Sequence, residues 1–130
     1  MLTAAAVFAA LAGLLHVYIW AMESLVFTTK GRKVFGLSAE EAANPSVQDL
    51  FYNQGFYNLF LAIGTLTGAG ITLADGCGVG TALIVFGTGS MLGAAIVLVT
   101  HNATMLRGAI VQGTFPLIAL VLLAINCLTR

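Results

Sequence analysis

Three ionisable side chains with catalytic potential stand in stretches of the sequence that are otherwise apolar. His16 and Glu23 are seven residues apart, which is two turns of an α-helix, so both fall on nearly the same face. An ionisable group inside a membrane costs about 2.5–3.5 kcal/mol on insertion scales, and such groups usually face the protein interior and mark function. Glu23 beside His16 or His101 could transfer protons, hold the polar head of a lipophilic ligand, or couple transport to protons. These three residues are the catalytic candidates, and their spacing does not separate the three chemistries.

Amide, hydroxyl and imidazole groups recur at helical spacing elsewhere in the apolar sequence. One stripe comprises Gln54, Asn58, Thr65 and Thr72. We predict that a polar cluster inside the membrane binds a ligand through Glu23, Asn53, Gln54, Tyr57, Asn58, His101, Asn102 and Gln112. Two distant histidines and one carboxylate do not define a coordination set, so no metal site is predicted. No phosphate loop, nucleophile elbow or zinc-protease helix is present, and no cofactor is predicted.

The composition predicts which secondary-structure elements carry these polar side chains. Of the 130 residues, 59% are hydrophobic and 8% are charged, and the formal net charge is zero. That balance excludes a water-facing surface and a basic surface for nucleic acid. Four apolar stretches, at about residues 2–27, 50–73, 79–99 and 108–128, each reach the roughly 20 residues that a bilayer-spanning helix needs. The sequence therefore predicts an all-α fold, a four-transmembrane-helix bundle with short loops that forms a single integral membrane domain over residues 1–130.

The positions of the basic residues predict the orientation of the chain. Lys30, Arg32 and Lys33 follow the first helix, and Arg107 lies between the third and the fourth. Because basic residues in short loops stay cytoplasmic, we expect loop 28–49 in the cytoplasm and both termini outside the inner cell membrane. This topology places the end of each helix that carries Glu23, Asn53, Gln54, His101, Asn102 or Gln112 in the same half of the membrane.

Several individual residues predict local features of the helices and their connections. Ser38 and Glu41 have the spacing of a capping box, which predicts a short helix that ends before Pro45. Pro116 lies inside the fourth helix and predicts a kink or a short unwound turn. Cys77 and Cys127 both fall on the predicted outer side, where they form either a disulfide or two free thiols, and free thiols are favoured.

Two pairs of glycines have the spacing of close helix contacts. They are Gly64 with Gly68 and Gly89 with Gly93, each separated by one helical turn. Small residues at this spacing let two helix backbones approach closely in lipid. We favour packing inside one bundle over dimerisation for both pairs.

Three segments together resemble a known family. They are the pair His16 and Glu23, the loop GRKVFGL at residues 31–37, and NQGFYNLFLA at residues 53–62. They resemble the small bacterial membrane proteins grouped as domain-of-unknown-function family 1304, most specifically in the pattern Asn-Gln-Gly-x-Tyr-Asn. The resemblance implies a small multi-helix membrane protein and brings no established activity.

Three functions are consistent with these residues. The first is a protein of the membrane interior that binds a small lipophilic molecule, or isomerises it by moving a proton through Glu23 and a histidine. The second is a homodimeric transporter of small molecules coupled to protons, and the third is an accessory membrane subunit. The expected partners are membrane lipids, the lipophilic ligand and, for the transporter, a second copy of the chain.

Overall fold

The computed structural model describes residues 1–129, and all regular elements in that range are helical. Helix α1 covers Leu2–Trp20 and continues into two π-helical turns, Ala21–Leu25 and Phe27–Gly31. Two short helices follow, α2 (Arg32–Val34) and α3 (Ala39–Ala43), and then the long helices α4 (Pro45–Asp75), α5 (Val79–His101) and α6 (Leu106–Leu128), with a 3₁₀ turn at Ala103–Met105. Four helical stretches are long and apolar enough to cross a membrane: Leu2–Leu25, Pro45–Asp75, Val79–His101 and Ala103–Leu128. The predicted all-α fold with four membrane-length helices is confirmed.

The chain forms two compact units, and the first contains residues 1–14 together with the chain from Leu61 onward. Its core is built mainly from small side chains: Ala5, Ala6, Ala9, Ala69 and Ala119, with Ile84 and Leu123. Since lipid tails are as apolar as leucine, helices in a membrane gain little from burying large apolar groups and associate through close packing. The alanines supply the small surfaces that this close packing needs.

One glycine of each long central helix brings α4 and α5 into close contact. A Cβ atom added to Gly68 would lie 2.8 Å from the backbone oxygen of Gly80, and a Cβ atom added to Gly80 would lie 2.8 Å from that of Gly68. A Cβ atom added to Gly64, Gly89 or Gly93 would meet nothing within 4 Å. The predicted packing inside the bundle therefore holds for Gly68 and is wrong for the other three glycines.

The second unit covers Leu15–Phe60. Its predicted capping box is confirmed, since the Ser38 amide donates to Glu41 Oε2 at 2.8 Å and the Glu41 amide donates to Ser38 Oγ at 3.1 Å. The predicted break before Pro45 is also confirmed, but α4 begins at Pro45 itself rather than near residue 50. Proline suits the first helical position because its missing N–H needs no partner there, and the Asn44 side chain accepts the Ser46 amide at 2.9 Å.

Helix α6 runs through Pro116 without interruption, so of the two predicted alternatives the unwound turn is wrong, and the kink stays a prediction. Pro116 is fully buried in the first unit. Prolines are tolerated in membrane helices because neighbouring groups compensate for the lost backbone hydrogen bond.

The two cysteines, Cys77 and Cys127, are free and exposed. The alternative of two free thiols, favoured from the sequence, is the one that the structure shows.

Candidate functional site

Glu23 lies where the first membrane helix departs from regular α geometry. The π-helical turn Ala21–Leu25 contains it, and Val26, with φ −130° and ψ 29°, separates this turn from the next. The Val26 amide donates to the Ala21 oxygen, five residues back, at 3.1 Å. Single π-helical turns inside α-helices are frequent at functional sites. Glu23 itself is 7% exposed, so the widened turn carries a buried acidic side chain.

Asn58 of α4 holds the carboxylate of Glu23. Its Nδ2 donates to Glu23 Oε2 at 2.7 Å, and Asn58 is 8% exposed. An ionised carboxylate has two oxygens and about four acceptor positions, so one donated bond leaves most of its capacity for other donors. Asn58 therefore fixes the position of a hydrogen-bond acceptor, the Glu23 carboxylate, in the second unit.

Gly55 allows α4 to approach the turn that carries Glu23. A Cβ atom at Gly55 would overlap Ser24 Oγ and lie 3.0 Å from Glu23 Cβ. The hydroxyl of Ser24 donates to the backbone oxygen of Tyr52 at 3.0 Å, which adds a second link between the two segments. Neither Gly55 nor Ser24 was predicted as a site residue from the sequence. A usable signal was present, since Gly55 is three residues before Asn58 and shares its helix face.

Aromatic rings from the same two segments pack against one another. Trp20 precedes Glu23 by three residues, and its ring meets that of Phe56 edge-on with centroids 5.9 Å apart. The ring of Tyr52 also packs against Phe56, with centroids 5.1 Å apart. The indole nitrogen of Trp20 is buried and has no hydrogen-bond partner among the described residues. Three packed aromatic rings thus lie on the two segments that carry Glu23 and Asn58, and the buried N–H donor of Trp20 is left unsatisfied.

His16 is fully buried and belongs to the same unit as Glu23. The seven-residue spacing places the two side chains on one face only if the helix is regular between them. The π-helical turn begins at Ala21, so that assumption fails for the last residues before Glu23. His16 and Glu23 therefore share a unit, but their facing each other stays a prediction.

The remaining predicted site residues lie in more open positions. Asn53, Gln54 and Tyr57 are exposed on α4 of the second unit. His101 and Asn102 are exposed in the first unit, and Gln112 there is partly buried. Of the predicted stripe on α4, Asn58, Thr65 and Thr72 are buried and Gln54 is not. Within residues 1–129, no group of three or more His, Cys, Asp or Glu side chains is placed to hold a metal ion.

Comparison with known proteins identified a family but no individual relative. Neither the curated proteins nor the solved structures that were compared gave a match to the chain. A family described as "protein of unknown function (DUF1304)" matches residues 10–124, a range that contains both Glu23 and Asn58. The match covers most of the chain, and it agrees with the resemblance seen in the residues around Asn53–Asn58. The protein is therefore a member of this family of unknown function, DUF1304.

Proposed function

We propose that the protein binds a small lipophilic molecule within the membrane through the carboxylate of Glu23. The observation that carries the proposal is the buried hydrogen bond between Glu23 and Asn58, each of which lies in a membrane-length helical stretch. A carboxylate at such a position costs about 2.5–3.5 kcal/mol on insertion scales. A clasp between two helices needs no acid, since a neutral amide at position 23 would accept the same bond from Asn58. The presence of an acid at position 23 is explained if it contacts a ligand.

The chemistry of the pair defines the ligand. In its ionised form the Glu23 carboxylate only accepts hydrogen bonds, so this form binds a ligand that presents a donor, either a hydroxyl or an amine. The rings of Trp20 and Phe56 offer an apolar surface for the rest of the molecule and, for an amine, a favourable cation–π contact. The proposed ligand is therefore a lipophilic alcohol or amine.

An isomerisation would use the same groups without a cofactor. Glu23 would take a proton from one carbon of the ligand and return it to another, so that no electron or leaving group is lost. Glu23 and His16 are the proposed pair for such a proton transfer within the second unit, and His101, in the first unit, stays a separate catalytic candidate. Binding alone is the simpler proposal, and the same first experiment serves both.

A second candidate function, a homodimeric proton-coupled transporter, is favoured by one observation on α5. Gly89 and Gly93 are one turn apart, and neither is covered by another part of the described chain. Two copies could approach closely along such a face. In a dimer, Glu23 from each copy would bind the transported molecule and the proton alternately.

The deciding experiment is native mass spectrometry of the gently purified protein. We expect a specific small molecule on the wild-type monomer and its loss in Glu23→Gln. Removing one charge-assisted hydrogen bond of about 1.5–3 kcal/mol raises the dissociation constant of the ligand about 10- to 150-fold. Glu40→Gln is the matched control, because the same chemical change is made at an exposed residue of the short helix α3. Both variants should keep the wild-type helical circular dichroism.

Other outcomes distinguish the alternatives. A molecule retained equally in Glu23→Gln would contradict the proposed site. An empty protein that is dimeric, and that loses proton-coupled transport in Glu23→Gln, would favour the transporter. An empty protein whose Glu23→Gln and Asn58→Leu variants keep every cellular phenotype would leave the accessory subunit as the better explanation.

We also propose an inner cell membrane location with both termini outside, on the basis of the basic residues Lys30, Arg32, Lys33 and Arg107. The exposed thiols of Cys77 and Cys127 test this directly. Both should react with a membrane-impermeant maleimide on intact cells, and a cysteine introduced at Lys33 should react only after the cells are opened. The opposite labelling pattern would reverse the proposed orientation.

A further inference from the structure

An apolar groove lies between α5 and α6 in the first unit, separate from the residues around Glu23. Its volume is about 240 Å³, and its walls come from α5 between Leu92 and Val99 and from α6 between Leu106 and Leu117. Small residues form its floor, since Ala95 and Ala109 are buried and a Cβ atom at Gly113 would lie 3.2 Å from Ala95 Cβ. The groove therefore results from small side chains placed between larger ones on two packed helices.

The length and polarity of the groove fit one hydrocarbon chain. From Leu106 to Leu117, α6 rises about 16 Å at 1.5 Å per residue, and half of a 30 Å hydrocarbon core is about 15 Å. Thr114 is the polar residue of the wall, and its hydroxyl is already bonded to the Ile110 oxygen at 2.6 Å. The α6 wall thus presents an apolar surface over the depth of one leaflet, and the α5 wall, from Leu92 to Val99, lines about 10 Å of it.

Cationic and polar side chains stand at one end of the groove. Arg107 directly follows the wall residue Leu106, and His101 comes two residues after the wall residue Val99; both are exposed. The connector between the two helices is held in place because Asn102 Oδ1 accepts from both the amide and the hydroxyl of Thr104, at 3.1 and 2.7 Å. A guanidinium group binds phosphate with two parallel hydrogen bonds, so its position complements an anionic headgroup.

We propose that this groove binds an anionic phospholipid of the surrounding leaflet, with one acyl chain between α5 and α6 and the phosphate against Arg107. The apolar length and the cation at its end together select this occupant. A neutral lipid would fill the groove but leave Arg107 without its partner, and a free phosphate would leave the groove uncovered. This site lies wholly in the first unit and does not depend on the ligand proposed for Glu23.

The headgroup part is tested by native mass spectrometry after exchange into nanodiscs. The discs contain equal amounts of phosphatidylglycerol and phosphatidylcholine with identical acyl chains. We expect phosphatidylglycerol adducts to predominate on the wild-type protein. One cation near the membrane surface contributes about 1 kcal/mol toward anionic lipid, so Arg107→Gln should lower that preference about fivefold. Lys33→Gln, which removes an exposed cation in the second unit, should leave it unchanged.

The groove part is tested by filling it. Ile110 is an exposed wall residue, and Val121 is exposed on the same helix outside the groove. We expect Ile110→Trp to abolish the retained phosphatidylglycerol and Val121→Trp to keep it, although both changes place the same indole ring on α6. Glu23→Gln should also keep it, which separates this result from the test of the proposed function.

Four outcomes would overturn the proposal. They are equal binding of the two lipids, an equal loss in Arg107→Gln and Lys33→Gln, retention of lipid by Ile110→Trp, and full displacement of the lipid by millimolar inorganic phosphate. A dimer that carries no lipid, and that Ile110→Trp dissociates, would show that a second copy of the chain covers the groove instead.

Discussion

Replacing Gly55 by alanine should destabilise the protein and disturb the site around Glu23. The new Cβ atom would overlap Ser24 Oγ and lie 3.0 Å from Glu23 Cβ, so Ser24 must rotate and release its 3.0 Å bond to the Tyr52 oxygen. Overpacking costs about 1–3 kcal/mol, and the lost hydrogen bond about 0.5–1.5 kcal/mol. The higher helix propensity of alanine offsets about 1 kcal/mol of this cost. The expected net destabilisation is about 0.5–3.5 kcal/mol.

Gly64→Ala on the same helix is the matched control. A Cβ atom there meets nothing within 4 Å, so only the propensity gain of about 1 kcal/mol remains. The assay is reversible unfolding in mixed micelles, followed by circular dichroism and by the fluorescence of Trp20, the one tryptophan of the chain. Trp20 packs against Phe56, the residue after Gly55, and therefore reports on the affected region.

A double substitution tests the assigned cause. Ser24→Ala removes the overlapping oxygen, so it should cost less stability in the Gly55→Ala background than in the wild type. Equal stabilities of Gly55→Ala and Gly64→Ala would refute the close approach of α4 to the Glu23 turn. Additive effects of Gly55→Ala and Ser24→Ala would refute the role of Ser24 in the clash.

Two further predictions concern other parts of the chain. Gly68→Ala should be destabilising, because its Cβ would lie 2.8 Å from the Gly80 backbone oxygen, whereas Gly70→Ala, with open space around it, should be neutral or stabilising when both are unfolded in the same micelles. The bond from the Ser38 amide, together with the Ser38 side chain, holds the pKa of Glu41 below its ordinary value of 4.5. Because the folded pKa is the lower one, the capping contribution is complete above pH 4.5 and is lost as the pH falls through the folded value. The Ser38 amide NMR shift should follow this titration, and it should be independent of pH in Glu41→Gln.

Local signals predicted the elements that depend on neighbouring residues in the sequence. The Ser38 and Glu41 capping box and the break at Pro45 are properties of a few consecutive residues, and both are confirmed. The four membrane helices follow from apolar length alone. The start of α4 was predicted five residues late because the segment from Pro45 to Asp49 is polar. Hydropathy identifies the part of a helix that lies in the hydrocarbon core and does not identify where the helix begins.

Packing could not be predicted in the same way, because it depends on which face of a helix meets a neighbour. Gly80 and Gly87 are seven residues apart on the face of α5 that packs against α4, where a Cβ atom would meet Gly68 or Thr65. Gly89 is two residues beyond Gly87, about 200° further round the helix, and lies in the open. The spacing of Gly89 and Gly93 identifies a helix face but cannot say what lies opposite it.

The site shows the same division between local pattern and tertiary geometry. Glu23 and Asn58 were both predicted as ligand-binding residues because each is a polar group in an apolar helix, and the structure joins them by a hydrogen bond. The α-helical period failed just before Glu23, where the π-helical turn adds one residue and changes the direction of the side chains that follow. The seven-residue spacing predicted that Glu23 faces His16. In the structure, the π-helical turn and the close approach at Gly55 position the Glu23 side chain toward Asn58. They place the Glu23 carboxylate against the Asn58 amide, so the geometry of the proposed site depends on Gly55 and Asn58.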